Sequence, residues 1–176
     1  MAIARSRYYD PVVNHLQHPA VLFVCLGNIC RSPLAQAAFE HAAENARLPA
    51  FADSAGTGDW HIGRPPDPRA QAVARRHGID ITSYRARQIE AADYYRFSHI
   101  FALDHVNLKD ILERMPADGT ARIGLLLDVV DGRAGQPVAD PYFGEEAGFD
   151  ITWQDVTDAA QALIRQLARR EDWAAK

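Results

Sequence analysis

A thiol at Cys25 and a guanidinium at Arg31 stand at the two ends of Cys25-Leu26-Gly27-Asn28-Ile29-Cys30-Arg31-Ser32, with five residues between them. A loop of that length can curl until successive backbone N–H groups point at one centre, and a helix beginning at its end adds unpaired amides and a positive dipole to the same field. Such a centre binds a tetrahedral dianion. Arg31 brings a planar two-donor fork for phosphate oxygens that lysine cannot reproduce. The same field favours a thiolate on Cys25, because cysteines at helix N-termini near cations ionise at roughly pH 3.5–7.5 rather than about 8.5. The chemistry expected is nucleophilic attack by sulfur on a phosphate ester.

Within the loop, Gly27 and Asn28 suit the unusual backbone angles that curling demands, and Ile29 must keep an allowed one. Ser32 has two candidate tasks for one hydroxyl: hydrogen bonding to the sulfur and capping the helix.

The flanking elements fit this task. Ala20–Val24 is a short continuous apolar run, as in a strand buried on both faces of a parallel sheet. Ser32-Pro33 opens a helical pattern that runs to Arg47, with Pro33 at the first helical position. Strands are expected over 51–55, 99–103 and 123–127, and helices over 68–77, 106–115 and 152–170, the first of them stopped by Gly78. His77 at that helix end answers the C-terminal dipole. This alternation predicts an α/β fold in which helices cover both faces of a parallel sheet, with ligands at the carboxyl ends of the strands. The segment 128–149 is a long polar loop rich in Gly and Pro, a length associated with function or mobility.

The 176 residues are 48% hydrophobic and 24% charged, an ordinary balance for one domain with a real core. Residues 1–18 read as an N-terminal extension and 19–176 as the domain. A formal net charge of −4 advertises no basic face for nucleic acid or anionic membrane. No apolar run approaches the roughly 20 residues of a spanning helix, and the first twenty residues lack a signal-peptide core, so the expected compartment is the cytoplasm. The two cysteines, Cys25 and Cys30, are too few for a structural zinc site and too close for a secreted disulfide framework. No metal and no cofactor is expected.

With strand, glycine turn and helix in place, VLFVCLGNICRSP resembles the signature of the low-molecular-weight protein tyrosine phosphatases. The likeness extends over about residues 20–170, through DSAGTGDW at 53–60, GRPPDPRA at 63–70, RARQI at 85–89, Leu103-Asp104 and Asp140-Pro141-Tyr142-Phe143. It implies a flavodoxin-like, four-stranded parallel sheet and metal-free, two-step hydrolysis of phosphotyrosine and aryl phosphates through a cysteinyl-phosphate intermediate. It makes Cys25 the nucleophile, Arg31 the phosphate clamp and Asp140 the general acid and then base. Leu26 to Ser32 become the phosphate cradle, Asn28 and Ser54 its braces, and Trp60, Tyr142 and Phe143 the aromatic walls of the cleft. Phosphotyrosine-containing proteins are then the partners and inorganic phosphate the product. Cys30 matches a second cysteine able to form a disulfide with Cys25 on oxidation, which implies redox sensitivity. One departure stands out: the position before Arg85 is commonly His in the family and is Tyr84 here.

Related chemistries on the same scaffold are arsenate reduction, which needs further cysteines that this chain lacks, and protein-arginine dephosphorylation, which typically goes with threonine at the place of Ile29. A phosphoanion-binding module without catalysis is the alternative from another class.

Overall fold

The computed structural model describes residues 18–169, and apart from His18 the expected N-terminal extension lies outside them. The elements in chain order are β1 (Ala20–Cys25), α1 (Arg31–Asn45), β2 (Phe51–Gly56), α2 (Pro68–Arg76), α3 (Asp93–Arg96), β3 (His99–Ala102), α4 (His105–Arg114), β4 (Arg122–Leu125), a 3-10 turn (Leu126–Val129) and α5 (Ala147–Ala168). The four strands form one parallel sheet in the order β2-β1-β3-β4. This is the flavodoxin-like α/β architecture expected, with helices on both faces.

β1 is wholly buried because it serves two cores. Val21, Phe23 and Cys25 face the larger one, with Leu34 and Phe39 of α1, Val73 of α2 and the apolar stripe of α5. Ala20, Leu22 and Val24 face the smaller one, with Tyr94, Phe97 and Ile111. Burying each such large side chain contributes about 1.5–3 kcal/mol. The stripe of α5 holds Val156, Ala160, Leu163 and Leu167, as the periodicity predicts, and begins one turn earlier than expected, at Phe149.

From β1 the chain moves outward to β2 and then crosses to β3 on the other side of β1. The carboxyl ends of β1 and β3 therefore flank the crevice where strand order reverses, the usual ligand position in such sheets. Cys25 ends β1, and Asp104 follows β3.

Several boundaries differ from the sequence expectation for local reasons. Helix α1 begins at Arg31, so Pro33 is its third residue, and it ends at Asn45, with Arg47 beyond it in the left-handed region at φ 54°. The strand expected to reach Leu127 stops at Leu125, where the backbone tightens into the 3-10 turn. The short α3 was not anticipated: four residues are too few for a period to register.

Candidate active site

The sulfur of Cys25 sits at the base of the loop joining β1 to α1. Asn28 N–H donates to it at 3.3 Å, and the Ser32 hydroxyl lies 3.0 Å away. The competition for Ser32 is thus decided. No side chain caps α1, whose N-cap residue is Cys30, and the Ser32 hydroxyl turns back to the sulfur and to the Ala55 carbonyl at 3.3 Å.

Asn28 makes the turn possible with φ 56°, a conformation asparagine tolerates, and Ile29 keeps an ordinary one. Gly27, expected to share the left-handed geometry, does not. Its role is clearance: a Cβ there would stand 2.9 Å from Cδ2 of His61. Gly56 matters in the same way, since a Cβ would meet the Leu26 carbonyl oxygen at 2.7 Å. The segment after β2 is thereby laid directly along the loop, with Thr57 and Gly58 N–H donating to the Cys25 and Leu26 carbonyls at 2.9 Å.

Arg31 is 3% exposed. Its Nη1 donates to Asp104 Oδ2 at 2.6 Å and to the Val138 carbonyl at 3.1 Å, and its Nη2 to Asp140 Oδ2 at 3.3 Å. Burial acts to lower this guanidinium, but the negative groups of Cys25, Asp104 and Asp140 outweigh it and hold it above its ordinary value. Buried Val138, whose N–H donates to the Leu103 carbonyl at 2.8 Å, anchors the loop that carries Asp140. Asp140 is half-exposed, and its Oδ1 accepts from Tyr142 N–H at 3.1 Å.

Cys30 is buried on the same loop. Desolvation first, and then the charges of Asp67, Cys25 and Asp140, push its thiol well up. Arg69 grips both Asp67 oxygens through Nε and Nη2, donates to the Tyr142 and Gly144 carbonyls at 3.1 and 3.3 Å, and lies over the Phe149 ring at 4.7 Å. Asp67 N–H donates to the Ile29 carbonyl at 2.8 Å, so this pair bridges the phosphate-type loop and the Asp140 loop.

Above the loop lies a cleft of about 140 Å³ walled by Leu26, Ile29, Trp60, His61, Tyr142 and Phe143, with Arg31 and Asp140 at its edge. Trp60 and Phe143 are largely exposed, and the Tyr142 and Phe143 rings meet edge to face at 4.9 Å. A larger groove of about 560 Å³ between α1 and α5 contains none of these residues. Among the described residues no group of three or more His, Cys, Asp or Glu side chains is arranged to hold a metal ion.

A buried thiol beside an amide-lined turn, a guanidinium and a carboxyl on a separate loop is an arrangement suited to phosphoryl transfer. The family model for low molecular weight phosphotyrosine protein phosphatase matches residues 20–172. The chain belongs to the low molecular weight phosphotyrosine protein phosphatase family. A family member from Schizosaccharomyces pombe is 40% identical over 151 residues, covering 84% of this chain and 96% of that protein. Among solved structures, a protein tyrosine phosphatase from Entamoeba histolytica superposes with a TM-score of 0.81 at 35% identity, covering 87% of this chain and 99% of that one. YfkJ of Bacillus subtilis does so with a TM-score of 0.81 at 36% identity, covering 88% and 98%.

In this phosphatase-family chain Leu26, Gly27, Ile29, Cys30, Arg31, Trp60, Asp140, Tyr142 and Phe143 line the cleft, whereas Cys25, Asn28, Ser32 and Ser54 are linked to one another by hydrogen bonds outside its lining. Ser54 accepts from Asn28 Nδ2 at 3.0 Å, and Asn28 Oδ1 accepts from Arg87 N–H at 2.9 Å. Tyr84, at the family's usual histidine position, donates its hydroxyl to Glu40 Oε2 at 2.6 Å. His77 caps α2 and stacks on Trp153 at 4.8 Å, away from the cleft. Sequence reasoning overlooked Asp104, Arg69, His61, Gln36 and Glu40. Asp104 did carry a signal: it is a helix N-cap, its Oδ1 accepting from Asn107 N–H at 2.8 Å while Oδ2 takes Arg31.

Proposed function

We propose that the cleft hydrolyses phosphotyrosine in proteins, and aryl phosphate monoesters generally, through a cysteinyl-phosphate intermediate. The observation that supports this reading is the meeting of two segments at one aromatic-walled cleft: the Cys25–Arg31 loop, with the sulfur at its base, and the separate loop that brings Asp140 to Arg31.

The Cys25 thiolate attacks phosphorus in line with the leaving oxygen, so that a P–S bond forms as the P–O bond to the ring breaks. The aryl oxygen takes the Asp140 proton, because a phenol leaves more readily than a phenolate. The loop amides of Leu26 to Arg31 and the Arg31 fork hold the equatorial oxygens. Asp140, now a carboxylate, removes a proton from water as it attacks phosphorus. The P–S bond breaks, the Ser32 hydroxyl donates to the departing thiolate, and inorganic phosphate is released. Asn28 and Ser54 brace the loop. Trp60, Tyr142 and Phe143 flank the substrate ring, and apolar Ile29 in the wall suits an aryl group better than a guanidinium.

Hydrolysis of para-nitrophenyl phosphate and a phosphotyrosine peptide without added metal tests this for the parent, Cys25→Ser and Asp140→Asn. Metal-free turnover abolished by the first change and strongly reduced by the second is the expected result. An inactive parent that still binds vanadate would make the protein a phosphoanion-binding module instead.

The same reading includes reversible oxidation. Peroxide converts the Cys25 thiolate to a sulfenic acid, and the Cys30 sulfur attacks it, releasing water and forming a disulfide. Oxidation also removes the Cys25 charge, one of the groups that keep Cys30 protonated. Recovery of activity by dithiothreitol after peroxide should be complete in the parent and poor in Cys30→Ser. This reading takes residue 19 onward as one domain and the cytoplasm as its reducing home; among the described residues no helix is long and apolar enough to cross a membrane.

A further inference from the structure

A chain of hydrogen bonds leads from the Cys25 sulfur to the outer surface of α1. Ser32 Oγ, 3.0 Å from the sulfur, accepts from Asn28 Nδ2 at 2.9 Å. The same amide donates to Ser54 Oγ, which donates to Gln36 Oε1 at 2.7 Å. Gln36 Nε2 donates to Glu40 Oε1 at 3.0 Å, and Tyr84 donates to the other Glu40 oxygen. Asn28, Ser32, Ser54 and Gln36 are all more than nine-tenths buried.

The donor directions follow from the two ends. An ionised carboxylate only accepts, so Glu40 turns the Gln36 amide nitrogen towards itself and the Gln36 carbonyl towards Ser54. Ser54 must then spend its proton on that carbonyl and offers Asn28 only lone pairs. Arg87 N–H, on Asn28 Oδ1, fixes the Asn28 amide from the other side. With Asn28 donating to its lone pair, the Ser32 hydroxyl has one proton to place between the Ala55 carbonyl at 3.3 Å and the sulfur at 3.0 Å, and an ionised sulfur is the stronger acceptor. Bonds in such a chain polarise one another in a low-dielectric interior.

We propose that Glu40, steadied by Tyr84, is a positioning residue for Cys25: its negative charge orders this chain so that Ser32 donates to the sulfur during attack and departure. This rests on Cys25 being the nucleophile. Asp53 is the other charged group acting on Glu40, and it is itself paired with Arg87 at 2.9 Å. Around the sulfur stand Arg31 and Cys30.

The sign of one measurement separates this chain from plain electrostatics. Through space alone, deleting the Glu40 charge makes the Cys25 thiolate easier to form, whereas disordering the chain makes it harder. The rate of Cys25 alkylation by iodoacetamide, assigned by mass spectrometry, is followed against pH for the parent, Glu40→Gln and Tyr84→Phe. The midpoint is expected to rise by about 0.5 pH unit in Glu40→Gln and by less in Tyr84→Phe. Breakdown of the phosphoenzyme, read from burst kinetics with para-nitrophenyl phosphate, should slow roughly three- to tenfold with the vanadate inhibition constant unchanged. A midpoint that stays or falls in both variants overturns the proposal. A parent that shows no burst and survives Cys25→Ser would instead remove the catalytic reading beneath it.

Discussion

Arg31 and Asp104 form a 2.6 Å ion pair that ties the end of the Cys25–Arg31 loop to the second residue beyond β3, the N-cap of α4. The pair occupies Nη1 together with the Val138 carbonyl, so the guanidinium is oriented by groups outside the loop before any phosphate arrives. Replacing Arg31 with Lys keeps the charge and loses the fork. Turnover of para-nitrophenyl phosphate should fall about 10²–10³-fold, the usual loss for one transition-state donor. Asp104→Asn leaves Arg31 in place but loosely held, and should cost roughly tenfold in kcat with a smaller change in KM.

Asp140 stands on a separate loop from Cys25, and as the proposed acid its effect should depend on the leaving group. In Asp140→Asn, phosphotyrosine hydrolysis should drop about 10²–10³-fold, within the range for a general acid, and para-nitrophenyl phosphate, with its better leaving group, by less. Equal losses for the two substrates would contradict an acid role.

Arg69 holds the carbonyls of Tyr142 and Gly144 while gripping Asp67, so its removal should let the Asp140 loop drift. Arg69→Ala is expected to steepen the dependence of kcat/KM on leaving-group acidity, a signature that simple loss of stability does not produce. The Asp67 carboxyl is pushed up by burial, yet the hydrogen bonds from Arg69 outweigh this and hold it below its ordinary value of 3.8. A depressed carboxyl adds stability above its unfolded-state value and loses it as pH falls through the folded-state value. Thermal melts of Asp67→Asn should therefore lie below the parent's at pH 7 and converge with them below about pH 3.8.

Cys30 is held protonated by burial and by Asp67, Cys25 and Asp140. At pH 7 iodoacetamide should label Cys25 and spare Cys30, as peptide mass mapping would reveal. Prior labelling of Cys30 would mean that the loop opens readily.

Asp93 is fully buried, and both its oxygens accept from Arg87 at 2.9 and 3.1 Å, with Glu90 N–H as a further donor. Asp93→Ala leaves the Arg87 guanidinium without its principal partner and should destabilise the fold by about 3–5 kcal/mol in urea titration. Because Arg87 N–H also fixes Asn28, activity should fall before unfolding begins.

The sequence by itself determined the chemistry and the frame. The spacing of Cys25 and Arg31 after an apolar run and before a helix is local, and so is the alternation of strands and helices, because each element registers its burial in a few successive residues. The tertiary structure decided which groups meet. Asp104 reaches Arg31 across 73 residues, Tyr142 reaches Arg69 across 73, and Tyr84 reaches Glu40 across 44. No periodicity records such pairings, since they depend on strand order and on which helix covers which face. The same holds inside the loop: Ser32 reads as a helix cap by type and position, and turns to the sulfur because folding sets Asn28 and Ser54 around it.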